Sequence, residues 1–182
     1  LRLGLGDFRQ GKPTALLAKL RVQQMMAIGP CLSPMNAFLL LTGLETLPLR
    51  LERQCDNAGR AAAFLAEHPK VRAVHFPGLP AHPEHALSRA QFRGRFGSVL
   101  SFTLADKAAC FRFLNACNLV RRVTNLGDTR TMALHPASTI YGTFWPHERE
   151  QVGVGEDLIR LSLGIEHPAD ILADLEQALG AA

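Results

Sequence analysis

The longest hydrophobic pattern in the chain is helical. Ser33-Pro34 opens it with a capping serine and a first-turn proline. Ala37, Phe38, Leu40, Leu41 and Leu44 then make the stretch apolar almost all round, which predicts burial. Pro48 lacks a backbone donor and predicts a kink or break near Leu44–Glu45. Beyond it Leu47, Leu51, Cys55, Ala58, Ala62 and Leu65 recur at three- and four-residue steps. Arg50, Glu52, Arg53, Asp56, Asn57 and Arg60 fill the opposite, polar face. The two segments predict a long kinked spine helix, residues 33–67. Ahead of it, Thr14 can cap a helix from Ala15 to about Ile28, with Leu16, Leu17, Leu20, Met25 and Ile28 on one side. Gly29-Pro30 ends that helix, and Leu1 to Pro13 reads as an irregular arm.

After His68-Pro69 the pattern shortens. Val71 to Phe76 reads as a strand and Ala86 to Phe92 as a helix. Phe96 to Leu104 is the clearest strand in the chain. Asp106 caps a helix from Lys107 to Cys117, with Ala109, Cys110, Phe113 and Leu114 inward. Leu119 to Thr124 reads as another strand, Asn125 to Asp128 as a turn-rich loop, and Thr131 to Leu134 as a short strand. Ala137 to Gly155 is aromatic and irregular, which is more often functional than idle. Within it Pro146 to Arg149 can form one turn of helix. Leu158 to Gly164 is a buried strand, and a helix from Ala169 to Leu179 closes the chain. This order predicts an α/β two-layer sandwich: a mostly antiparallel sheet, helices on one face, and the long kinked spine helix before it.

Composition narrows the partners. At 182 residues the chain can bury a sizeable core. No run is long enough for a membrane helix, and the absence of a leader pattern together with reduced cysteines points to the cytoplasm. The net charge of +4 comes from scattered arginines, with no basic run, so nucleic acid is not an expected partner. The 4 cysteines lack CxxC spacing and read as free, buried thiols. His75, His82 and His85 in or beside a proline-rich loop read as solvated rather than as metal ligands. The chain opens at Leu1 without an initiator Met and reads as a segment of something longer.

One residue breaks its local pattern. Arg160 lies mid-strand in Leu158-Ile159-Arg160-Leu161-Ser162-Leu163-Gly164. If Ile159 and Leu161 face one side of the sheet, Arg160, Leu158 and Ser162 face the other. A half-buried guanidinium needs an anionic partner or a path to solvent. Arg160 either snorkels, pairs with an internal carboxylate, or presents a bidentate fork to a ligand carboxylate. No GxSxG, Cys/His pair, paired carboxylates or phosphate-cradling GxGxxG accompanies it. None of Lys12, Lys19, Lys70 and Lys107 lies in an apolar pattern suited to Schiff-base chemistry.

Several motifs together resemble the pyridoxal-phosphate enzymes of cysteine and methionine metabolism, the trans-sulfuration family. They are Ser33 to Leu47, Phe76-Pro77-Gly78-Leu79, Asn125-Leu126-Gly127-Asp128, His135-Pro136-Ala137-Ser138-Thr139 and Leu158 to Glu166. They run in the family's order and spacing from about Ala18 to the end. The resemblance implies the small domain of an aminotransferase fold-type I enzyme at residues 68–182, behind an interdomain spine helix at 33–67. Residues 1–32 would be the remnant of a junction to a pyridoxal-phosphate-binding domain that carries the lysine, the phosphate cradle and the ring-stacking tyrosine. On this reading the segment holds no catalytic, cofactor-binding or metal-binding residues and is inactive alone. The resemblance also implies substrate contacts at Arg160, Asn125, Leu126 and Thr139, with Arg160 gripping the α-carboxylate of an amino-acid substrate in a homo-oligomer. Asn125 followed by Leu126-Gly127-Asp128 looks more like the O-acetylhomoserine sulfhydrylases than the methionine γ-lyases. The implied reaction is γ-replacement of acetate by a sulfur nucleophile. γ-Elimination or cystathionine chemistry is the alternative within the family, and a non-catalytic interaction module the alternative outside it. Ile140-Tyr141 departs from the family's usual Thr-His and bears on side-chain specificity.

Overall fold

The structure is a computed structural model and describes residues 15–182 of the chain. The expected arm and the Thr14 cap lie outside the described residues. The chain divides into two compact units, one ending at Glu45 and one spanning Thr46–Ala182.

In the first unit a helical stretch runs as α1 (Ala15–Lys19), a π-helical segment (Leu20–Met25) and α2 (Met26–Ile28). The single α-helix expected there is thus interrupted by wider turns. Gly29 ends it in the left-handed region (φ 66°), where a Cβ would be strained, and its N–H donates to the Met25 carbonyl at 2.8 Å. α3 (Pro34–Glu45) begins as predicted: the Ser33 hydroxyl accepts from the Asn36 N–H at 3.2 Å. The expected burial of this helix is not met. Phe38 is 63% exposed, and Leu39, Leu40, Leu41 and Leu44 are similarly open. A helix apolar all round needs cover on every side, and its own compact unit does not supply it among the described residues.

The second unit starts with α4 (Leu47–Glu67), where Pro48 sits in the first turn and its missing donor is harmless. The spine is therefore broken at Thr46, as the proline predicted. β1 (Ala73–His75), α5 (His85–Gln91), β2 (Val99–Thr103), α6 (Lys107–Ala116), β3 (Arg121–Arg122), β4 (Met132–Leu134), a 3-10 turn (Pro136–Ser138), α7 (Pro146–Gln151), β5 (Leu158–Ser162) and α8 (Pro168–Ala181) follow. The sheet is mixed, in the order β1-β2-β5-β4-β3, with only the β3–β4 pair parallel. Alternate residues of the two central strands point to one core. Leu100 and Phe102 of β2 and Ile159 and Leu161 of β5 meet Ala58, Ala61, Ala62 and Leu65 of α4, Phe113 of α6, and Ile171, Leu175 and Leu179 of α8. Phe102 and Phe113 meet edge to face at 5.4 Å.

The Asp106 cap falls where the sequence placed it. Asp106 Oδ1 accepts from the Ala109 N–H at 2.7 Å, starting α6. His167 accepts from the Ala169 N–H at 3.3 Å, starting α8. The strand expected over Leu119–Thr124 shrinks to two residues for a visible reason. The N–H groups of Asn118, Leu119 and Val120 all donate to the buried Asp174 carboxylate, at 2.9, 3.0 and 2.9 Å, and so are unavailable to a ladder.

Candidate functional site

Arg160 sits at the middle of the central strand. It lies opposite Ser101 of β2 and Leu134 of β4, so its side chain leaves the sheet on the face away from the main core. Small Ser101 leaves room on one side of it. The guanidinium is partly buried and makes one hydrogen bond, from Nη2 to the backbone carbonyl of Asn125 at 2.9 Å. Among the described residues no carboxylate pairs with it. Burial lowers its pKa below the ordinary arginine value, and the Tyr141 phenol partly opposes that shift. Of the readings open at the sequence level, pairing with an internal acid is therefore not what the structure holds. The guanidinium is anchored at one nitrogen and is partly open to solvent.

The other predicted residues take different positions. The Asn125 side chain turns onto its own loop, Oδ1 accepting from the Leu126 N–H at 2.9 Å. It is the Asn125 carbonyl, not the amide, that meets Arg160. Leu126 is 57% exposed. Thr139 lies past β4 on the far side of the 3-10 turn, and its hydroxyl donates to the His135 carbonyl at 2.7 Å. His135 is buried with both ring nitrogens engaged. Nδ1 accepts from the Ser138 N–H at 3.2 Å, which leaves the ring proton on Nε2, facing the Glu156 carbonyl at 2.8 Å. That histidine fixes the turn and is not free to act as a base. Thr139 also lines an open cleft of about 430 Å3 between α6 and the β3–β4 edge, walled by Phe111, Leu114, Val123 and Leu134. Neither Arg160 nor Asn125 borders it.

The sequence reading missed two buried amides on α4, Gln54, which holds the Asn125 loop at Asp128, and Asn57, which holds Gly164 and Glu166 beside it. The periodicity assigns Asn57 to the polar face and Gln54 to neither face, yet each is only 2% exposed. The signal was present: 54, 57, 58, 61, 62 and 65 also follow the three-and-four step, with two amides inside the buried stripe. Asp128, at the tip of the loop, is held by Arg130, whose hydrogen bonds draw its carboxyl down to about 2.

With this geometry in place, comparison with known proteins is decisive at the level of family. The sequence profile of the Cys/Met metabolism PLP-dependent enzymes matches residues 11–180. The chain belongs to this family. It is 42% identical, over 91% of its length, to O-acetyl-L-homoserine sulfhydrylase 1 of Thermus thermophilus, of which it spans 39%. It is 41% identical, over 98% of its length, to an L-methionine gamma-lyase of Pseudomonas putida, of which it spans 46%. The O-acetylhomoserine sulfhydrylase structure from Wolinella succinogenes matches 98% of the chain at TM-score 0.79 and 36% identity, with 48% of that chain covered. A Campylobacter jejuni structure assigned as an O-acetylhomoserine (thiol)-lyase, carrying N'-pyridoxyl-lysine-5'-monophosphate, matches 92% of the chain at TM-score 0.83 and 34% identity, with 40% of that chain covered. The chain thus spans less than half the length of each of these relatives.

The cofactor of the family is pyridoxal phosphate, and the described lysines do not fit its attachment. Lys70 Nζ is committed to the carbonyls of Leu179 and Gly180 at 2.8 Å and of Ala182 at 3.1 Å, closing the end of α8. Lys107 pairs with Glu156 at 2.8 Å, and Lys19 is exposed. None is desolvated in the way a Schiff-base lysine requires. Among the described residues no cluster of His, Cys, Asp and Glu could hold a metal, and no helix is long and apolar enough to cross a membrane. The cysteines are free. Cys110 is buried as expected, but Cys55 and Cys117 are half-buried and Cys31 is exposed.

Proposed function

We propose that this chain is the substrate-carboxylate-binding, fold-type I small domain of a pyridoxal-phosphate trans-sulfuration enzyme. The reaction is γ-replacement on an O-acetylhomoserine-like amino acid by a sulfur nucleophile. The observation that carries the reading is Arg160: a partly buried guanidinium at the centre of the sheet, with one backbone anchor and no acidic partner among the described residues. A planar fork held in this way suits a carboxylate and fixes its rotation through two parallel charge-assisted bonds. Pyridoxal phosphate, when bound, supplies the electron sink for chemistry at the α- and γ-carbons. In this chain the work is binding and orientation. Arg160 takes the carboxylate, the Asn125 carbonyl steadies Arg160, and Leu126 borders the substrate. The cofactor lysine then lies in the part of the relatives that this chain does not span. The open apolar surface of α3 supports assembly into a homo-oligomer.

The test is Arg160→Lys in the complete enzyme. Lysine keeps the charge but cannot make two coplanar bonds. Loss of one charge-assisted bond costs about 2–3 kcal/mol, or roughly 30- to 150-fold in kcat/KM for O-acetylhomoserine. Cofactor occupancy should not change. Wild-type kcat/KM in Arg160→Lys would remove the carboxylate role. The similarity to an L-methionine gamma-lyase supports a second reading, γ-elimination, and the same assay run with methionine alone separates the two.

A further inference from the structure

The loop that anchors Arg160 is not held by its own secondary structure. Residues 123–131 join two parallel strands, and most of them are exposed. Their fixed points come from far along the chain. Gln54 Nε2, on α4, donates to the Asp128 carbonyl at 2.7 Å. Asn57 Nδ2, one turn later, donates to the carbonyls of Gly164 and Glu166, both at 3.0 Å. The Glu166 carboxylate in turn accepts from the Thr131 N–H at 2.6 Å and from the Thr131 hydroxyl at 2.8 Å. That hydroxyl accepts from the Gly164 N–H at 3.0 Å, and Gly127 donates to the Ser162 hydroxyl at 3.2 Å.

These contacts join α4, the end of β5 and the loop into one closed polar network. Burying two amides on a helix face that otherwise carries alanine and leucine disfavours folding unless the amides find specific partners. Asn57 does so at a cost, because its Oδ1 is buried with no donor. Rotating the amide would set oxygen against two carbonyls, so the observed orientation is the one that serves the network. A helix shaped only for packing would carry an apolar residue at 57.

Resting on the carboxylate role of Arg160 proposed above, we infer that Gln54 and Asn57 are positioning residues for substrate. Gln54 latches the 123–131 loop to α4 directly, Asn57 does so through the segment after β5 whose Glu166 carboxylate holds Thr131, and the loop's Asn125 carbonyl sets the direction of the Arg160 fork. Neither amide touches the substrate. Their effect passes through the register of the loop against β5, so it falls on the amino-acid substrate and not on the sulfur nucleophile.

The test compares Gln54→Met, Asn57→Ala and Arg160→Lys in the complete holoenzyme. Gln54→Met keeps the volume of the side chain while removing its donor, so it preserves packing if Asn57→Ala fails to fold. The expected result is a rise in KM for O-acetylhomoserine of about tenfold, with kcat and the KM for sulfide within about twofold. Hydrogen–deuterium exchange should accelerate in peptides covering 123–131 and stay unchanged in β2. Unchanged KM in Gln54→Met, with or without faster loop exchange, overturns the inference. Faster exchange in β2 as well also overturns it, since the effect is then loss of fold and not of position. If Arg160→Lys itself keeps wild-type kcat/KM, the carboxylate reading falls and the inference with it. If Arg160→Lys is impaired while Gln54→Met is not, the inference falls alone.

Discussion

Asp174→Asn tests how this fold converts one buried charge into loop geometry. Asp174 is 6% exposed on α8. Its carboxylate accepts from the N–H groups of Asn118, Leu119 and Val120 and from Gln177 Nε2, all within 2.9–3.0 Å. An asparagine is nearly the same size but offers only one oxygen. Whichever way its amide turns, two of these donors face an NH2 group. Hydrogen bonds to a charged acceptor contribute about 1.5–3 kcal/mol each, and a buried donor left without a partner costs about 1–3 kcal/mol. Allowing for relaxation of the turn, the loss should be about 2–4 kcal/mol, or about 5–15 °C in Tm for a chain of this length. Burial pushes the Asp174 pKa up, but the backbone donors outweigh it and the net shift is downward. A carboxylate with a depressed folded value stabilises fully above its unfolded value of about 3.9, and loses that contribution as pH falls through the lower folded value. The gap between wild type and Asp174→Asn should therefore be full at pH 7 and narrow below about pH 4. Urea denaturation at pH 7, 5 and 3 measures it. A gap under about 0.5 kcal/mol at pH 7, or one that widens in acid, would refute the reasoning.

Two further outcomes follow from packing and burial. A Cβ at Gly164 would run into the backbone of Thr129 and Arg130, so Gly164→Ala should cost about 1–3 kcal/mol. Gly59→Ala, in α4 with nothing within 4 Å of the new Cβ, should instead gain about 0.5–1 kcal/mol, and thermal melts of the pair check both signs. Burial pushes the Cys110 and Cys117 thiols up to about 12, with nearby Asp carboxylates adding to the rise. Both should resist iodoacetamide at pH 8 in the native protein while exposed Cys31 reacts, which mass spectrometry of labelled peptides reads directly.

The sequence by itself determined the elements and the family. Caps, prolines and periodicity marked α3, α4, α6, α8 and both central strands, because those signals are local: a serine oxygen reaches its own helix, and a proline disrupts its own turn. The Arg160 strand was legible for the same reason, since a charge in an apolar alternation stands out without any partner in view. Only the tertiary structure decided what lies 35 to 109 residues away in sequence. It showed that Arg160 meets the carbonyl of Asn125 and not its side chain. It showed that Asn57 faces inward, although its neighbours in sequence suggested solvent. It showed that Asp174 takes the N–H groups that a longer β3 would have used. These are competitions for hydrogen bonds between distant segments. A backbone donor can satisfy one acceptor well, and which acceptor it finds depends on the packing of α4 and α8 against the sheet, which no local pattern encodes.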